Sequence, residues 1–149
     1  IAALTFHFED YRLKDYEKVM VYKTSFPSPA YPRDIHACEV NHEDKVVLIA
    51  TDKFMLGQNK PHEYFNTALY AWSMVVEKAR KSLELPEQML QKVGQVLNFK
   101  PEAIKAYIGT PDINDFALAS TAYFMRPQAM KKMYPELFQQ MDGYFRNTL

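Results

Sequence analysis

The sequence predicts an α+β fold: an N-terminal antiparallel sheet of three or four strands, packed by a long helix and followed by a compact helical C-terminal half. Three observations predict it. Apolar residues alternate with polar ones, or gather in short β-prone runs, over residues 1–56. From residue 61 onward they recur three or four apart. Pro61, Pro86, Pro101, Pro111, Pro127 and Pro135 then punctuate the chain at intervals that suit short helices. With 149 residues, 48% of them hydrophobic, the chain can bury one core. It reads as a single domain over 1–149, strand-rich over 1–56 and helical over 61–149.

The strands come first. Leu4, Phe6 and Phe8 alternate with Thr5, His7 and Glu9, as in a half-buried strand. Val19-Met20-Val21-Tyr22 is a second β-prone run. Pro27, Pro29 and Pro32 cannot donate to a ladder, so the stretch from Phe26 to Pro32 is an extended loop. Residues 35–40 and 45–51 pair as a hairpin around Asn41-His42-Glu43-Asp44. Val46-Val47-Leu48-Ile49-Ala50 is continuously apolar, which places that strand in the middle of the sheet. Gly57-Gln58-Asn59-Lys60 marks the boundary between the halves.

A long helix is predicted over 61–83. Pro61 suits a first helical turn, and Phe65, Leu69, Trp72, Val76, Ala79 and Leu83 form its apolar stripe. Further helices are predicted over 87–98, 101–108, 113–125 and 128–146. Gly109-Thr110-Pro111-Asp112 breaks the second from the third, and Pro135 splits or kinks the last.

Charge and cysteine content narrow the function. Eighteen basic residues balance eighteen acidic ones, so the electrostatic signature of a nucleic-acid binder is missing. Cys38 is the one cysteine, which excludes an intrachain disulfide and a multi-cysteine zinc site, and a cytoplasmic location is expected. No apolar run reaches membrane-spanning length. Ile1-Ala2-Ala3-Leu4 lacks the basic flank and the length of a signal peptide.

Four constellations bear on chemistry. Residues 90–108 resemble a helix-turn-helix motif, with Gly94 at the close crossing, Asn98 in the turn, Pro101 opening the second helix and Ile104 facing inward. As a DNA-binding alternative, Lys100, Lys105 and Tyr107 would meet the duplex, helped by Lys131 and Lys132. His36, Cys38 and His42 are metal-ligand types, but three such residues on a hairpin fall short of a structural zinc set. Asp112 and Asp115 sit where a helix begins, and capping accounts for both. No double-histidine helix motif, nucleophile elbow or phosphate loop is present.

The fourth constellation is a surplus of Met and aromatic residues near the C-terminus. Met130, Met133, Tyr134, Phe138, Met141, Tyr144 and Phe145 would form an adhesive patch if several stayed exposed. With no catalytic set and no cofactor expected, the sequence reads as a non-catalytic interaction or assembly module. Its partner would be a protein or a second copy, docked on those terminal side chains, with the edge of the sheet as a second candidate surface. The remaining alternative is a small-molecule-binding protein or enzyme with a pocket between the sheet and helix 61–83.

Overall fold

The structure, a computed structural model, describes residues 12–80 and 83–146, the side chains of Arg12 and Lys14 excepted. The strand predicted at Leu4–Phe8 lies outside the described residues. The α+β layout is as the sequence predicts: a small three-stranded sheet precedes a helical C-terminal half. The strands are β1 (Lys18–Tyr22), β2 (Cys38–Asn41) and β3 (Val46–Ala50), in the order β1-β3-β2.

All five residues of β3 are buried, as their unbroken apolar run requires of a central strand. The hairpin β2–β3 is antiparallel, with Cys38 opposite Ile49 and Asn41 opposite Val46. Asn41 closes its turn by accepting from the Asp44 N–H at 2.9 Å, and Lys45 takes up the left-handed conformation. β1 differs from expectation and runs parallel to β3, with Val19 opposite Val47 and Val21 opposite Ile49. A parallel neighbour needs a crossover connection. Residues 23–37 supply it, and they carry the Pro-rich loop.

Strand alternation divides the core. Cys38, Val47 and Ile49 face the helices. Val46, Leu48 and Ala50 face the crossover, under Phe26, Ala37 and Tyr22. The Tyr22 and Phe26 rings stack there at 4.2 Å.

α1 (Thr51–Asn59) follows β3 with no intervening loop, where the sequence suggests a strand end and a linker. Its start is tied back to β1, because the Thr51 hydroxyl donates to the Tyr22 carbonyl at 2.9 Å. Gly57 lets the next segment cross closely. A Cβ at that position would lie 2.7 Å from the Phe65 carbonyl oxygen.

α2 (Thr67–Ala79) is shorter than the predicted 61–83. Asn66 caps it, its Oδ1 accepting from the Leu69 N–H at 2.9 Å, and Pro61 lies in the preceding turn. The remaining helices are α3 (Met89–Leu97), α4 (Pro101–Ile108), α5 (Asp115–Met125), α6 (Pro127–Met133) and α7 (Pro135–Arg146). α4 has the predicted bounds, and Pro135 does divide the last two.

α5 is apolar on every side, with Phe116 through Tyr123 all buried. It is the central helix, and it packs against α2, α3, α6 and α7. Asn114, and not Asp112 or Asp115, caps it. Its Oδ1 accepts from the Ala117 N–H at 2.6 Å, while Asp115 occupies the first turn, where its charge suits the helix dipole.

Candidate functional site

A groove opens between the sheet and α2, where the sequence places its pocket alternative. Its volume is about 900 Å³. Val19 and Val21 of β1 form one wall, and Phe54 and Met55 of α1 another. Ala68, Leu69 and Trp72 of α2 line it as well, and Phe124 and Met125 at the end of α5 close one end. None of its described lining residues carries a charge.

The local folding explains the opening. α2 covers β2 and β3, leaving the helix-side face of β1 uncovered among the described residues. Val19 is therefore 46% exposed and Val21 66% exposed, which is unusual for strand valines. β1 is also an edge of the sheet formed by the described residues. It offers main-chain groups on one side and an apolar face above the groove.

A polar junction links α2 to the start of α5. The Asn114 N–H donates to the Tyr70 hydroxyl at 2.8 Å, and Asn114 Nδ2 donates to Glu77 Oε2 at 2.7 Å. Burial holds the Tyr70 hydroxyl far above its ordinary pKa, so it stays protonated. Beside the sheet, His36 Nε2 donates to Glu39 Oε2 at 2.8 Å, and both residues are buried. The His36 ring sits edge-on to Phe26 and Tyr31.

The structure separates the residues that the sequence groups. His36 pairs with Glu39, whereas His42 Nδ1 is hydrogen-bonded to the Tyr16 hydroxyl at 2.6 Å. Cys38 is buried on the helix side of the sheet, and burial with the nearby Glu39 charge pushes its thiol up to about 12. Asp112 accepts from the Tyr31 hydroxyl at 3.1 Å, a tertiary link instead of the expected cap.

The helix-turn-helix corner exists between α3 and α4, with Gly94 against the Phe99 carbonyl and Asn98 left-handed. It serves the core. Ile104 is buried, and Tyr107 is drawn inward to donate to the Lys53 carbonyl at 3.0 Å. Lys100 and Lys105 are exposed at the start and on the flank of α4. Lys131 and Lys132 lie in the last turn of α6, a different element, with the Lys131 ammonium 5.8 Å from the Phe138 ring centre.

The C-terminal Met and aromatic residues are mostly interior. Met130, Met141 and Phe145 are buried, while Tyr134, Phe138 and Tyr144 are partly buried against the same core. Met133, at 45%, is the one of the seven that is exposed. The residues that sequence reasoning missed are Val19, Val21, Phe54 and Met55. The alternation of Val19 and Val21 was the available signal, but it does not reveal which strand face lacks a helix.

A model of the family described as glucose-regulated metallo-peptidase M90 matches residues 61–146. Neither the curated proteins nor the solved structures contain a match to the chain. The family match overturns the expectation of a non-catalytic assembly module. The terminal helices that carried that expectation are part of a peptidase-family domain, and their side chains form its core.

The family description implies a metal, and the donor set does not fit one. Residues 61–146 contain a single histidine, His62, exposed on the turn before α2. Among the described residues no three His, Cys, Asp or Glu side chains gather where they could hold an ion. The match nonetheless runs from that turn to the end of α7, over more than half of the chain, and the protein belongs to the glucose-regulated metallo-peptidase M90 family.

Proposed function

We propose that this family member is a polypeptide-binding domain, and that it holds an extended segment along β1 and over the groove. The observation that carries the reading is the apolar face of β1, which among the described residues is an uncovered edge strand above a groove whose described lining is uncharged. A peptidase-family domain must grip a main chain, and an exposed strand edge does so by hydrogen bonding. Alternate side chains of the bound segment then point into the groove. β1 has five residues, so it spans about 17 Å and matches a ligand stretch of similar length. The lining favours apolar ligand side chains such as Val, Leu and Phe, because a charge entering there loses hydration and meets no counter-ion among the described lining residues.

Trp72 is the only tryptophan in the sequence and lies in the groove lining, so its fluorescence reports occupancy. Titration with reduced, carboxymethylated ribonuclease A, an unfolded polypeptide without tryptophan, is expected to shift Trp72 emission to the blue and to saturate. Val21→Asp places a carboxylate on the wall at a site exposed enough to spare the fold, and it is expected to weaken the response at least tenfold. Unchanged Trp72 emission in the parent, or equal binding by Val21→Asp, would refute the reading.

A further inference from the structure

We infer that this member of a metallo-peptidase family works without a bound metal ion, because no three His, Cys, Asp or Glu side chains among the described residues come together to hold one. A catalytic zinc site takes three protein ligands and keeps a fourth position for water. On a helix, two of those ligands commonly come as His-Glu-x-x-His. The matched region begins that pattern at His62-Glu63 but reads Asn66 where the second histidine belongs. Asn66 is the N-cap of α2, so residues 62–65 precede the helix and have no helical face on which to align. Glu63 is exposed and paired with Lys60 at 3.4 Å.

Three further carboxylates of the matched region are engaged within the fold. Glu77 accepts from Asn114, Asp112 accepts from Tyr31, and Asp142 accepts from Tyr123 and pairs with Arg146. These carboxylates sit on separate parts of the fold: α2, the loop before α5, and α7. Outside the matched region, His36 presents Nε2 to Glu39, and Cys38 is buried with a thiol that resists ionisation. The polar junction Tyr70–Asn114–Glu77 joins α2 to the start of α5 by two protein hydrogen bonds. It works as a structural clamp, and each link has its donor and acceptor within the chain.

The inference stands apart from the peptide-binding proposal and is tested on the full chain by metal content and melting temperature. The protein is dialysed against 50 µM zinc, desalted and analysed for elemental zinc. It is then melted with 100 µM zinc and, separately, with EDTA. The expected result is well under one-tenth of a zinc per chain and a Tm the same in both conditions. One zinc per chain, or a zinc-dependent rise in Tm of more than about 5 °C, would overturn the inference, because a ligand that binds the native state stabilises it by mass action. The titration with carboxymethylated ribonuclease A is repeated in EDTA. Loss of the Trp72 response only in EDTA would also overturn the metal-free assignment. A response absent in both conditions would sink the peptide proposal and leave the zinc content to decide this one.

Discussion

Replacing Asn114 with alanine removes two interactions at once, and their sizes follow from the geometry. The side-chain oxygen caps α5 through the Ala117 N–H at 2.6 Å. Loss of such a cap costs about 1 kcal/mol, within a range of roughly 0.5–2. The side-chain nitrogen donates to the Glu77 carboxylate at 2.7 Å, and neither residue is fully buried. A hydrogen bond to a charged group contributes about 1.5–3 kcal/mol, and partial exposure puts this one near the lower end. The backbone N–H still reaches the Tyr70 hydroxyl, so that link survives. The sum is about 2–3 kcal/mol, or a fall in Tm of roughly 5–10 °C for a chain of this size. Asn114→Ser keeps a capping oxygen and loses the bridge, and is expected to recover about 1 kcal/mol of the loss. Urea unfolding of Asn114→Ala, Glu77→Ala and the double variant isolates the bridge, with an expected coupling of about 1 kcal/mol. Additive single effects, or an Asn114→Ala variant within 0.5 kcal/mol of the parent, would show that the junction does not clamp α2 to α5.

Other expectations follow from the same packing. Gly94→Ala would put a Cβ 2.7 Å from the Phe99 carbonyl oxygen, and the forced shift at the α3–α4 corner is expected to cost about 1–3 kcal/mol in chemical denaturation. Met141→Ala should open a cavity under α5 and cost about 2–5 kcal/mol, whereas Met133→Ala at the exposed end of α6 should stay within about 0.5 kcal/mol. Cys38, buried and with its thiol pushed up to about 12, should not react with a thiol reagent at pH 8 until the protein is unfolded. Tyr107 and Tyr144 are each raised from 10.0 to about 12 by burial, so the native state keeps protons that the unfolded state gives up. Stability is therefore fully present below pH 10 and declines as pH climbs toward 12, which a series of melts across that window would follow.

What the sequence reveals is what local chemistry controls. Pro101 and Gly109 bracket α4, and Pro135 separates α6 from α7, because proline and glycine act through the backbone at their own positions. The hairpin around Asn41 and the central place of Val46–Ala50 are legible for the same reason. Non-local choices are not. α1 carries no clear apolar stripe and continues directly from a strand, so nothing in its composition separates it from the preceding run. Asn66 competes with Pro61 as the start of α2, and only the bond to the Leu69 N–H selects it. The parallel pairing of β1 depends on where residues 23–37 cross. The terminal Met and aromatic residues suggest a sticky surface until α5, with no polar face of its own, calls for neighbours on every side. The groove is half legible: its position between sheet and helix follows from the layout, but its β1 wall does not.

The way β1 is attached has a further consequence for how the chain opens. β2 and β3 are neighbours along the sequence, whereas β1 reaches β3 only after the intervening hairpin strand and crossover are in place. Such long-range pairing carries a larger loop-closure cost and tends to form late in folding. With four of its five residues exposed, β1 also has little burial to hold it. Its amides should therefore exchange with solvent through a small opening of their own, while those of β3 and α5 wait for global unfolding. A polypeptide laid on that edge would slow exchange in β1 first, so the strand that closes last would be the one whose protection records an occupied groove.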